Sequence, residues 1–113
     1  MMAPKRPPAP AHDAPDLGDV ALITVLQALS DPVRLEMVRQ LGRCSGAGEL
    51  GCGQIEVPVS RSTASHHLKA LSGAGLIAER EEGTRKYVRL RRDELDRRFP
   101  GLLDSVLRAA DGD

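Results

Sequence analysis

A chain of 113 residues with 16 basic and 16 acidic side chains, one Phe, one Tyr and no Trp has the length of one domain and must build its core from aliphatic side chains. Its formal net charge of zero excludes bulk attraction to polyanions, so any affinity for nucleic acid has to come from a local patch. Two cysteines without a signal-peptide pattern or a membrane-length apolar run predict a reducing cytoplasm rather than a disulfide framework, and no membrane partner is expected.

Residues 1–15 hold Pro4, Pro7, Pro8, Pro10 and Pro15 with almost nothing apolar beyond Ala, which predicts a flexible tail preceding a domain at 16–110. From Asp16 as cap, Leu17, Val20, Ile23 or Thr24, Leu26 and Leu29 follow helical spacing and predict a first helix to about Leu29. Its apolar residues run round much of the circumference. Asp31, with Pro32 in the first turn, caps a second helix that turns Leu35, Val38 and Leu41 inward.

Gly42, Gly46, Gly48, Gly51 and Gly53 interrupt the next segment, and each glycine costs a helix interior about 1 kcal/mol relative to Ala. A short supporting helix is expected over roughly Glu49 to Glu56, ended by Pro58. Ser60 then supplies a cap, and Ala64, Leu68 and Leu71 fall on one apolar face of a third helix. Its other face carries Arg61, Ser62, Thr63, Ser65, His66 and Lys69 and no acid, a combination suited to the DNA major groove. Gly73 and Gly75 are expected to end it. Leu76 to Arg80 and Lys86 to Leu90 predict two strands around a Gly83-containing loop. Asp93 caps a helix with Leu95 and Phe99, Pro100 and Gly101 break it, and Leu102, Leu103, Val106 and Leu107 resume an apolar stripe. Between Ser60 and Arg92 the cations Arg61, Lys69, Arg80, Arg85, Lys86, Arg89, Arg91 and Arg92 outnumber Glu79, Glu81 and Glu82, which makes a basic patch on a neutral chain.

The run Ser60-Arg-Ser-Thr-Ala-Ser-His-His-Leu-Lys-Ala-Leu-Ser-Gly-Ala-Gly-Leu-Ile77 resembles the recognition helix and following turn of the ArsR/SmtB family of bacterial winged helix-turn-helix regulators. Upstream, Ala28-Leu-Ser-Asp-Pro-Val-Arg-Leu35 is similar to the family's entry to its second helix, and downstream Gly83-Thr-Arg-Lys-Tyr-Val-Arg-Leu90 is similar to its wing. The resemblance implies a mainly α fold with a small β-hairpin, a winged helix-turn-helix that pairs as a homodimer. It also implies binding of double-stranded promoter DNA at an inverted-repeat operator, most often as a repressor. Base reading then falls to Arg61, Ser62, Thr63, Ser65 and His66, and phosphate contact to Lys69, Arg85, Lys86 and Arg89. The dimer is expected to pair Leu17, Val20 and Ile23 with Leu103, Val106 and Leu107.

The family's thiolate sites carry Glu-Leu-Cys-x-Cys, where this chain has Glu49-Leu50-Gly51-Cys52-Gly53, so both cysteine positions are glycine. Cys52 and Cys44 remain as weak candidates for a soft-metal pair or a reversible disulfide. The family's carboxylate–histidine site lies on the terminal helix, which here contains no histidine. His67 matches the family's structural histidine, and neighbouring His66 points about 100° away from it. If a metal is the effector, nickel, zinc and copper are the expected ions. The alternative is a winged-helix module without its own sensory site, gated by an accessory partner protein or by thiol oxidation. No nucleophile elbow, paired catalytic carboxylates or phosphate-cradling glycine loop is present, so enzyme activity is not expected.

Overall fold

The computed structural model describes residues 16–43, 49–51 and 54–112. In chain order these form a 3-10 turn (Leu17–Asp19), helices α1 (Leu22–Leu29) and α2 (Pro32–Gly42), strand β1 (Glu49–Gly51), helix α3 (Arg61–Gly73), strands β2 (Ile77–Glu82) and β3 (Arg85–Leu90), and helices α4 (Arg92–Arg98) and α5 (Leu102–Gly112). The proposed tail, Cys44 and Cys52 lie outside the described residues.

The expected first helix is divided. Asp16 does cap, its Oδ1 accepting from the N–H of Gly18 at 3.0 Å, but it opens only the 3-10 turn. The backbone straightens at Val20 and Ala21 before α1 begins. Arg98 accounts for the break: its guanidinium donates to the carbonyls of Leu17 and Val20 at 3.1 and 3.3 Å, capturing acceptors that a continuous helix would have used internally. Leu17 and Val20 consequently turn into the chain's own core, 5% and 7% exposed, against the turn at Gly75.

Helix α2 starts as expected, with Oδ1 of Asp31 accepting from the N–H groups of Val33 and Arg34 at 2.8 and 3.1 Å and Pro32 in the first turn. The supporting helix over Glu49 to Glu56 is not found among the described residues. Glu49–Gly51 is instead a strand, antiparallel to β3 with Leu50 opposite Val88, and residues 55–60 run to the α3 cap without helical structure. The cause is local: glycines weaken helix formation there, whereas an edge strand on β3 gains ladder bonds, burial of Leu50 beside the core and a bidentate Arg80–Glu49 ion pair at 2.9 and 3.0 Å.

Ser60 caps α3 through Oγ, which accepts from the N–H of Thr63 at 3.2 Å. The helix closes in a Schellman arrangement, with Leu76 N–H donating to the Leu71 carbonyl at 3.0 Å and Gly75 N–H to that of Ser72 at 3.0 Å. Gly75, at φ +83°, is the terminator; Gly73 remains inside α3. Strands β2 and β3 are longer than expected, pairing as far as Glu82 opposite Arg85 across a two-residue turn of Gly83 and Thr84. Asp93 does not cap α4: the cap position is Arg91, which makes no side-chain cap bond, and Asp93 lies in the first turn. Gly101, at φ +80°, allows the reversal into α5.

The sheet order is β1-β3-β2, and one face, with Leu50, Ile77, Val88 and Leu90, lies on the helices. The core joins Val25, Met37, Val38, Leu41, Leu68, Leu71, Leu76 and Leu95, an aliphatic interior as the composition requires. Helix α5 packs on α2, and Leu103 is buried at 3% exposure while Val106 and Leu107 are half-buried. Leu17, Val20 and Leu103 are therefore corrected from dimer-surface residues to core residues of a single chain. Ile23 stays open at 60% exposure, flanked by Leu22 at 46% and Leu26 at 40%.

Candidate nucleic-acid interface

Two structural decisions aim α3. Its buried stripe of Leu68 and Leu71 fixes its rotation, so Arg61, Ser62, Thr63, Ser65, His66 and Lys69 all stand exposed. Its orientation against α2 is fixed by Arg34, whose Nε donates to the Ala28 carbonyl at 2.8 Å and whose Nη1 lies 3.3 Å from Nδ1 of His67. An arginine can only donate, so Nδ1 of His67 is the acceptor in this contact. This gives His67 the structural role expected of it, and leaves His66 on the open face.

An open groove separates the start of α3 from the hairpin. It is lined by Gly51, Gln54, Arg61, Ser65, Thr84, Arg85, Lys86 and Tyr87. The predicted reading residues Arg61 and Ser65 thus face the predicted phosphate residues Arg85 and Lys86, and no acid lines this groove. Thr63 is partly committed to the helix start, its Oγ1 accepting from Ser60 Oγ at 3.0 Å. Ser62 and His66 are exposed outside the groove lining.

Three residues the sequence reading missed belong to this groove. Tyr87 shares the outer face of β3 with Arg85 and Arg89, an alternation visible in sequence once the strand is assigned. Thr84 sits in the hairpin turn. Gln54 could not be found without the fold; its Oε1 accepts from Gly51 N–H at 2.8 Å, which leaves the amide's donor side available.

The cations of the patch are not equivalent. Arg80 lies over the Tyr87 ring, 4.6 Å from its centroid, and reaches Glu49 on β1 and Glu82 on its own strand. The hydrogen bonds it donates to Glu49, then to Glu82, push the Arg80 pKa up, while Arg80 in turn holds the Glu49 carboxyl below its ordinary 4.5. Arg80 is therefore a sheet clamp rather than a free phosphate ligand. Arg89 is partly neutralised by Glu94, 3.6 Å away, and lies far from the hairpin tip, so it fits the phosphate role less well than Arg85 or Lys86.

Comparison with known proteins decides the family. A helix-turn-helix domain model matches residues 29–80. The HTH-type transcriptional regulator YceK of Bacillus subtilis is 40% identical over 84 residues, covering 73% of this chain and 82% of that protein. This chain belongs to the ArsR family of winged helix-turn-helix transcriptional regulators. The arsenical resistance operon repressor of Staphylococcus xylosus is 38% identical over 77 residues, 66% of this chain and 70% of its own length. Among solved structures, the homodimeric winged helix-turn-helix DNA-binding domain of Mb0332 from Mycobacterium bovis superposes with a TM-score of 0.63 at 32% identity, covering 80% of this chain and 78% of that one. As an ArsR-family member the chain is a DNA-binding transcriptional regulator and not an enzyme. Arg61 and Ser65 of α3 and Arg85 and Lys86 of the hairpin converge on the groove between them.

ArsR-family regulators that sense metals need several ligands converging on one point. Among the described residues no group of three or more His, Cys, Asp or Glu side chains is placed to hold an ion, and no helix among them is long and apolar enough to cross a membrane. Cys44 and Cys52 fall outside the described residues.

Proposed function

We propose that this regulator binds an inverted-repeat operator as a homodimer and represses transcription until a signal releases it. The observation that carries the reading is the groove in which Arg61 and Ser65 of α3 oppose Arg85 and Lys86 of the hairpin. Such a groove combines hydrogen-bonding side chains for base edges with cations for the flanking phosphates. Dimerisation is supported by the apolar patch of Leu22, Ile23 and Leu26, and by the homodimeric Mycobacterium bovis relative. Repression is supported by the Staphylococcus xylosus relative, itself a repressor.

The signal acts on this chain either directly, as a transition metal or an oxidant at Cys44 and Cys52, or through an accessory protein bound to the same fold. One experiment separates these routes. The operator is selected from random duplex DNA with the purified protein, and its affinity is then measured with zinc, nickel, copper, arsenite or peroxide added in turn. Release by one of these that Cys52→Ser abolishes assigns the signal to the thiols. Indifference to all of them assigns it to a partner, and failure to select any sequence refutes the operator reading itself.

A further inference from the structure

Residues 55–60 deliver the chain to α3 without helical structure, and one side chain of α2 holds their backbone. The Gln40 amide donates from Nε2 to the Glu56 carbonyl at 2.6 Å and accepts at Oε1 from the Glu56 N–H at 2.9 Å. It thereby satisfies both main-chain groups of Glu56 as a neighbouring strand would. The orientation of that amide is fixed from behind. Nε2 also donates to Oε2 of Glu36 at 3.0 Å, and a reversed amide would set oxygen against that carboxylate and against the Glu56 carbonyl. Glu36 is held in turn by Arg39 at 2.6 Å, and Arg39 by Asp111 of α5 at 3.0 and 3.1 Å. Glu56 lies four residues before the Ser60 cap, and its neighbours Ile55 and Val57 pack on the core.

We propose that Gln40 is a positioning residue for DNA reading: it holds the segment leading into α3 and sets the angle at which α3 enters the groove. This rests on the reading of α3 as the operator-reading helix. Gln40 does not line the groove, and it reaches toward α3 through the Glu56 backbone. A displacement of the α3 start moves Arg61, Ser62 and Ser65 together, which weakens base contacts while leaving the hairpin cations free to bind phosphate.

The test uses full-length Gln40→Met, which keeps the chain length and a good helix former, and Gln40→Glu, which keeps the acceptor but loses the donor beside Glu36. Both are compared with the wild type on the selected operator and on a random duplex across a salt series, with amide hydrogen exchange read at Glu56. Expected are a fall of about ten-fold in the operator-to-random affinity ratio, of the size that one lost base contact brings, an unchanged salt slope on random DNA, and faster exchange at Glu56. A purely structural residue would lower the melting temperature and leave the ratio intact. Unchanged ratios in both variants, equal losses on both DNAs, or loss of folding in both overturn the assignment. A wild type that selects no sequence overturns the operator reading instead, whereas a selective wild type with equally selective variants overturns the role of Gln40 alone.

Discussion

At Gly75 two requirements coincide: a left-handed backbone at φ +83° and an approach by Leu17 so close that a Cβ would stand 2.5 Å from its Cδ2. Gly75→Ala should therefore cost about 2 to 4 kcal/mol, left-handed strain added to overpacking. Urea unfolding checks it, and a loss below about 1 kcal/mol would mean that Leu17 is not held there. Gly42 is the contrast. A Cβ on it would meet the movable Cδ1 of Leu107 at 2.9 Å, and alanine recovers about 1 kcal/mol of helix propensity. Gly42→Ala should thus be much milder than Gly75→Ala in the same assay. Gly75 was legible in the sequence as a helix terminator because its flexibility is a local property. What it packs against was not, since Leu17 lies far away along the chain.

The elements divide in the same way. Helices α2 and α3 announce themselves through Asp31-Pro32 and Ser60 followed by regular apolar spacing, because cap and stripe are written within one segment. Strand β1 could not be read, since its three residues owe their state to the edge of β3 and to Arg80 rather than to periodicity of their own. The elements also carry a common acid sensitivity. Backbone N–H donors, first that of Arg34, hold Asp31 below its ordinary 3.8, and Arg39 does the same for Asp111. Bonds from Gln40 and then Arg39 lower Glu36 below its ordinary 4.5, and Arg80 lowers Glu49. In each case the unfolded chain takes up its proton first on acidification, so the stabilisation is present above these ordinary values and is lost as pH falls through the lowered ones. Urea midpoints should hold steady from neutral pH to about pH 5 and decline below about pH 4. Asp31→Ala should lower the midpoint at neutral pH and make the acid decline shallower; an unchanged decline would show that the cap does not contribute to it.

For the whole molecule, the amphipathic pattern gave the buried faces of the first and last helices but not the chain that buries them. Leu17, Val20 and Leu103 satisfy their own fold, and the large apolar side chains left exposed are Leu22, Ile23 and Leu26 among the described residues, the patch proposed for a second copy. Ile23→Glu should convert the dimer to a folded monomer in sedimentation at micromolar concentration and weaken operator binding with it. A mutant that sediments like the wild type would move the interface elsewhere. The central claim is that α3 reads bases while the hairpin holds phosphates. It is tested most directly by titrating Ser62→Ala and Arg85→Ala against the operator and a random duplex over a range of salt. Arg85→Ala should weaken both DNAs alike and flatten the salt slope by about one phosphate, while Ser62→Ala should cost about 1 to 3 kcal/mol on the operator alone. Equal losses on both duplexes from both substitutions would contradict it.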